Sequence, residues 1–261
     1  IMATDNYPQI CLSASDLGIL FINFVKKSKK TFLFAQPNIF PKPWGTHPNF
    51  VSQCTDTVIQ KINEMDNTCL WTFTDCDPQY YLKWKQINTI PLAYDSESYA
   101  NIEDQKYAFD VCYIGGRANN GFDEKYQIML KHFEAFKDSG LKCGFFIGRN
   151  LTHEQENKIL YNSKVAINIH DAYQRELGLD TNERTFKSLG LTGILVSDNI
   201  GQLNRLFPQT KTSNDPKEMF EIVKEYVNMP QEQLNYTKEK NRELIAREHT
   251  YVNRVKRMLS L

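Results

Sequence analysis

Residues 165–198 read VAINIHDAYQRELGLDTNERTFKSLGLTGILVSD. The apolar run 165–169 has the length and β-branched content of a buried strand. It leads into a polar turn with Asn168, His170 and Asp171, then a flexible link. Asn182, Glu183, Arg184 and Thr185 open a short helix over 183–189, and Gly193 turns the chain into a second apolar strand at 194–197. Two wholly apolar strands joined through a helix are the pattern of a parallel sheet covered on both faces. In such a sheet a helix start stands at the carboxyl ends of the strands and offers unpaired N–H groups and the positive end of the helix dipole. Arg184 adds a bidentate cation there and Thr185 a hydroxyl, both suited to phosphate oxygens, so a diphosphate is the ligand such a helix start would take.

The same alternation extends in both directions. After the linker-like stretch 95–106 (DSESYANIEDQK), a strand at 109–115 closes on Gly115 and Gly116; a helix at 123–137 and a strand at 142–147 follow. Thr152 and Gln155 have the spacing of a capping box opening a helix to 162. Beyond the central stretch lie two terminal helices, 216–228 and 231–259. On the N-terminal side the pattern predicts strands at 10–13, 31–35, 68–73 and 89–92, with helices at 17–27 and 51–65. Four prolines make 36–48 an irregular loop. The expected fold class is therefore α/β with two Rossmann-like domains of parallel sheet, residues 1–98 and 99–261, the first one short or truncated. The chain opens Ile1-Met2 with no patterned element before Ile10, which is compatible with a piece of a longer protein.

The totals exclude several classes. Lys plus Arg and Asp plus Glu are 31 each, so no global positive field gathers nucleic acid or anionic lipid. No apolar run approaches the roughly 18 residues of a membrane span. The six cysteines form no C-x-x-C and read as free thiols in a reducing, cytoplasmic setting. The sequons at Asn150 and Asn235 matter only in a secreted chain, and the N-terminus has no signal-peptide pattern.

The run NERTFKSLGLTGILVSD resembles the segment of the CgeB-like branch of group 1 glycosyltransferases in which R-x-F-E opens a helix and a glycine and an aspartate follow. FDVCYIGGR (109–117), IPLAYDSESY (90–99) and EHTYVNRVKRML (248–259) are similar to other segments of that family in the same order, so the resemblance spans residues 88–261. It implies a GT-B fold, with a nucleotide-sugar donor on the C-terminal domain, an acceptor on the N-terminal domain and reaction in the cleft between. The family usually needs no metal, because helix dipole and basic side chains offset the charge of the leaving diphosphate. On this resemblance Arg184, Thr185 and Arg117 go to the donor diphosphate; His170, Asn182, Glu183, Glu176 and Gly116 lie near the donor sugar or nucleoside. No cofactor beyond the co-substrate is implied, and nucleic acid enters only as an acceptor. The likeness leans toward retention of configuration, so no catalytic base is named. One departure stands out: the family's glutamate after R-x-F, which resembles a ribose-binding carboxylate, is Lys187 here. Lysine has only donors; either Glu183 or Glu176 replaces the lost acceptor, or Lys187 meets phosphate, or donor binding has been lost.

Plainer roles compete for the same residues. Arg184 reads also as a surface arginine, slightly unfavourable against the dipole, His170 as a satisfied loop histidine, and Asp171 and Glu176 as capping or surface carboxylates. Gly115 and Gly116 serve equally to turn the chain. Trp71, Tyr80, Tyr81 and Trp84 fit core packing better than a sugar platform. Lys26, Lys27, Lys29 and Lys30 fit a solvated helix end and are the one run able to touch nucleic acid. Two other functions remain open: a GT-B relative that binds nucleotide or glycan without turnover, and another doubly wound enzyme such as an epimerase.

Overall fold

The computed structural model describes residues 22–23, 25–46, 51–52, 54–116 and 124–261. The strand expected at 10–13, most of the helix expected at 17–27, Cys11 and Arg117 lie outside the described residues. The chain divides into two units, one reaching to Pro91 and one spanning Leu92–Leu259.

In the first unit, β1 (Thr31–Phe34), β2 (Thr68–Thr72) and β3 (Ile87–Thr89) form a parallel sheet in that order. Helix α1 (Asp56–Asn63) packs Val58 and Ile62 against Ala35 and Leu70. It begins five residues later than its apolar periodicity predicts, because the Thr55 hydroxyl accepts from Val58 N and caps the start.

The second unit has a five-stranded parallel sheet in the order β5-β4-β6-β7-β8, with β4 at Val111–Gly115, β5 at Cys143–Ile147, β6 at Val165–Asn168, β7 at Leu195–Ser197 and β8 at Lys211–Thr212. Along the strands alternate side chains serve opposite faces. Cys112, Ile114, Ala166 and Leu195 join one apolar layer with α3 (His153–Asn162), α5 (Glu183–Leu191) and α6 (Gly201–Leu206). Val111, Tyr113, Val165, Ile167 and Val196 join the other with α2 (Glu124–Glu134) and α7 (Pro216–Val227). The α/β class with two parallel sheets read from the sequence is the class observed, and the Thr152–Gln155 capping box forms.

Four elements differ from expectation. The flexible link after Asp171 contains a helix, α4 (Ala172–Leu177), closed by Gly178 at φ 69°. Its six residues are too few to show a period. Helix α6 and the two-residue β8 were not foreseen, for the same reason. The single terminal helix expected over 231–259 is two, α8 (Gln231–Glu248) and α9 (Tyr251–Ser260). At the break His249 O accepts from Tyr94 N (2.8 Å) and Tyr251 N donates to Tyr94 O (3.0 Å), so backbone groups that would continue the helix pair with a distant segment.

Candidate functional site

In the second unit the chain leaves β4 for β5 on one side and returns to β6 on the other. Loops diverge at such a reversal, and the crevice at the carboxyl ends of the two strands is where doubly wound sheets place ligands. Here those ends carry Gly115 and Asn168. Arg184, from the first turn of α5, reaches across them. Its Nη1 donates to Asn168 Oδ1 (2.7 Å) and to Ile169 O (3.4 Å). The guanidinium carbon lies 5.1 Å from the Tyr113 ring centroid. A Cβ on Gly115 would stand 2.5 Å from Arg184 Nη2, so only glycine admits this pose. Among the described residues Nε and Nη2 of Arg184 meet no hydrogen-bond partner.

Asn182 is the N-cap of α5, a residue type that ordinarily bonds the first-turn N–H groups. It makes no such bond: its Oδ1 accepts from Asn168 Nδ2 (2.9 Å) instead. The helix start is left uncapped beside the guanidinium. A second cation stands near. Lys125 from α2 is buried and pairs with Asp171 Oδ1 (2.6 Å); burial, and Arg184 nearby, push its pKa down while Asp171 holds it up. Behind Arg184 lies a buried polar chain through Asn168, Thr185, Thr181, His170 and Asp198. Burial opposes the charge on Asp198, but His170, beside it and bonded to it through ring and backbone, holds the carboxyl below its usual range.

The candidates named from sequence thus separate. Arg184, Thr185, Asn182 and His170 come together, though the Thr185 hydroxyl is buried and bonded to Asn168 and Thr181 rather than turned outward. Gly116 sits exposed at the mouth, with nothing within 4 Å of a built Cβ. Glu183 and Glu176 are exposed and outside the chain of bonds. Lys187 is ion-paired with Glu156 of α3 and lies 6.0 Å over the Tyr99 ring. Sequence reasoning missed Asn168 as a partner for Arg184, and Asp198, Thr181, Tyr113 and Lys125. A polar residue closing an otherwise apolar strand, as in VAIN and LVSD, was the available signal for two of them.

Residues 106–260, more than half of the chain, match the family model described as Glycosyl transferase-like. The chain belongs to that family. Among solved structures it is similar to the N-terminal domain of Candida albicans trehalose-6-phosphate phosphatase (TM-score 0.52, 9% identity, 94% of this chain and 73% of that chain covered). It is also similar to AviGT4, a glycosyltransferase involved in avilamycin A biosynthesis (TM-score 0.45, 9% identity, 92% and 77% covered). At such identity the first of these likenesses is one of fold alone. No curated protein matches the sequence.

Within this glycosyl transferase-like unit one buried and one half-buried group set opposite acid responses. Asp180, 2% exposed, has its pKa raised to about 6 by burial, although Gln174 Nε2 donates to its Oδ2 (2.6 Å). His249 has its pKa lowered to about 4, by burial and then by Arg254. As pH falls from 6.5 to 4 the unfolded chain protonates His249 and the folded one does not, which removes at most about 3 kcal/mol, and less because solvent screens the half-buried ring. From 6 to 3.8 the folded chain protonates Asp180 before the unfolded one does, which returns a similar amount, about 3 kcal/mol. The two offset each other, so the melting temperature of the wild type should change little between pH 6.5 and 4.5. In Asp180→Asn the loss from His249 is uncovered: that variant should be the more stable above pH 6 and fall steeply below it. Parallel melting curves for the two proteins across this range would contradict the assignment.

Proposed function

We propose that this chain transfers a sugar from a nucleoside-diphosphate sugar to an acceptor hydroxyl, as a member of the CgeB-like branch with a GT-B arrangement. In this reading residues 99–261 bind the donor and residues 1–98 serve the acceptor, which is a saccharide, a protein, a small molecule or a modified nucleobase. The family match supports glycosyl transfer as the general chemistry. The observation that carries the donor site is Arg184, fixed by one nitrogen over the β4–β6 crevice with two further nitrogens open, beside a helix start whose own cap is turned away. Phosphate oxygens arriving there would meet the guanidinium, the dipole of α5 and the nearby Lys125, charges able to stabilise a leaving diphosphate without a resident metal or cofactor. Thr185 contributes from below through Asn168, and Arg117 joins the diphosphate site on the family resemblance alone. His170, Asn182, Glu183, Glu176 and Gly116 belong to the donor surroundings.

Five free cysteines among the described residues support a reducing, cytoplasmic setting. Among those residues no helix is long and apolar enough to cross a membrane.

A second reading, a binding module without turnover, is favoured by Lys187. Its ammonium is committed to Glu156, so it is not held ready for a phosphate. Lysine also gives a ribose hydroxyl no acceptor. Slow hydrolysis of the donor separates the two readings, since only a transferase shows it.

The test is a melting-temperature screen against UDP, GDP, ADP, CMP, TDP and their sugar conjugates, because a ligand of the native state raises the melting temperature. One diphosphate should give a clear shift. In Arg184→Ala the ligand-free melting temperature should be nearly unchanged while affinity falls roughly 10- to 100-fold, the range for lost hydrogen bonds to a charged group. Equal affinity in the variant would remove the donor site from this crevice.

A further inference from the structure

The buried chain behind Arg184 has a direction, and its direction follows from its two ends. At one end the Asp198 carboxylate can only accept. It takes the His170 backbone N–H (2.9 Å) on one oxygen and His170 Nδ1 (2.6 Å) on the other, so Nδ1 carries the hydrogen and, in the neutral imidazole, Nε2 is an acceptor. The Thr181 hydroxyl must then donate to Nε2 (2.8 Å) and accept from the Thr185 hydroxyl (2.6 Å). Thr185 in turn accepts from Asn168 Nδ2 (3.0 Å). At the other end Arg184 can only donate, so Asn168 must present Oδ1 to it (2.7 Å). In this order the two hydrogens of Asn168 Nδ2 go to Thr185 Oγ1 and Asn182 Oδ1, its shortest contacts, while His170 Nε2 stands 3.3 Å from the same nitrogen and takes its hydrogen from Thr181. A flipped Asn168 amide would set donor against donor at Arg184 and leave Thr185 without its donor. His170, Thr181, Thr185, Asn168 and Asp198 are all fully buried, so water does not substitute for a missing member.

The orientation of Asn168 governs two features at once. Its carbonyl holds Arg184 over the crevice, and its amide draws the Asn182 side chain away from the start of α5, which leaves that start open to an anion. We propose that Thr181 and His170 are positioning residues for the anion site: through Thr185 they fix the Asn168 amide, and through it Arg184 and the uncapped helix. This rests on the donor-site reading above. None of the links touches the ligand.

Titration calorimetry with inorganic pyrophosphate, well below the melting temperature, tests the idea. Pyrophosphate probes the anion site whatever the base of the donor. Thr181→Val keeps the volume and cuts the chain, so the dissociation constant should rise about 5- to 10-fold, the equivalent of one net hydrogen bond. Thr181→Ser should restore it to within about twofold of wild type, by keeping the hydroxyl. Thr185→Val cuts the same chain one link nearer Asn168 and should give the same loss, which keeps the test alive if one variant folds poorly. Added to Arg184→Ala, either cut should weaken binding by less than it does alone, since the share acting through that residue is already lost and only the share acting through the start of α5 remains. An unchanged constant in both threonine variants, or a loss of full size in the Arg184→Ala background, would overturn the positioning role while leaving the donor site standing. Failure of the wild type to bind pyrophosphate or any nucleoside diphosphate would remove the donor site, and the positioning role with it.

Discussion

Gly115→Ala should weaken diphosphate binding at least as much as loss of Arg184 does, in a protein that still folds. The alanine Cβ would lie 2.5 Å from Arg184 Nη2, 2.7 Å from its Cζ and 2.7 Å from Tyr113 Oη. The nearest obstacle is the far end of a long side chain, so the strand can stay and the guanidinium must leave. Nothing in the backbone of Gly115 demands glycine, since its φ is not positive. The cost therefore falls on the site. Affinity should fall at least as far as in Arg184→Ala, roughly 10- to 100-fold on the same grounds, with the melting temperature within a few degrees of wild type. The double variant should be no worse than the more affected single one, because both remove the same interaction. A Gly115→Ala protein that binds diphosphate normally would mean that Arg184 has no part in binding.

Gly193→Ala should have the opposite profile, a large loss of stability from a position remote from the crevice. Gly193 has φ 80°, where an L side chain is strained. Its Cβ would also lie 2.6 Å from Lys238 O and 2.7 Å from Lys238 Cα, which are helix backbone and cannot swing aside. Helix α8 is fastened around this point: Lys238 Nζ donates to Ser163 O (2.6 Å), Asn241 Nδ2 to Gly193 O (2.7 Å) and Arg242 Nε to Leu191 O (2.8 Å). Lys238 is buried enough for its pKa to drop to about 8, so its ammonium depends on that carbonyl. Strain and overpacking together should cost about 3–4 kcal/mol, or roughly 10 °C in melting temperature for a unit of this size. Asparagine tolerates positive φ. If the close approach of α8 is the cause, Gly193→Asn should be destabilised almost as much, whereas recovery in that variant would assign the loss to φ alone.

What the sequence disclosed and what it withheld have the same physical origin. Apolar runs such as 111–114 and 165–167 face helices on both sides, so burial alone writes them into the chain as unbroken apolar stretches, and the parallel α/β class follows. Short elements carry no such mark: α4 and β8 contain too few residues for a period, and α4 owes its end to a left-handed glycine. The break after Glu248 is imposed by a backbone pairing with Tyr94, which no local pattern announces. In the candidate site the helix start at 182–185 was visible because its residue types are unusual together. Its supporting partners were not, since Lys125, Asn168 and Asp198 come from three different segments that only the sheet brings together. The roles of Asn182 and Thr185 depended on that convergence: both side chains serve Asn168.

The pairing of Tyr94 with the α8–α9 junction also bears on how the chain is made. Leu92 O accepts from Arg254 Nη2 (3.2 Å), a partner 162 residues further along the chain. During synthesis the first residues of the second unit therefore wait for nearly its last ones, while β4 to β8 can already assemble between them. Contacts so distant in sequence form late, after the intervening chain has been ordered. Until then the 92–94 segment lacks its backbone partners and is open to proteases. Resistance to cleavage at that segment is accordingly a mark of a fully synthesised unit, acquired only once translation has passed Arg254.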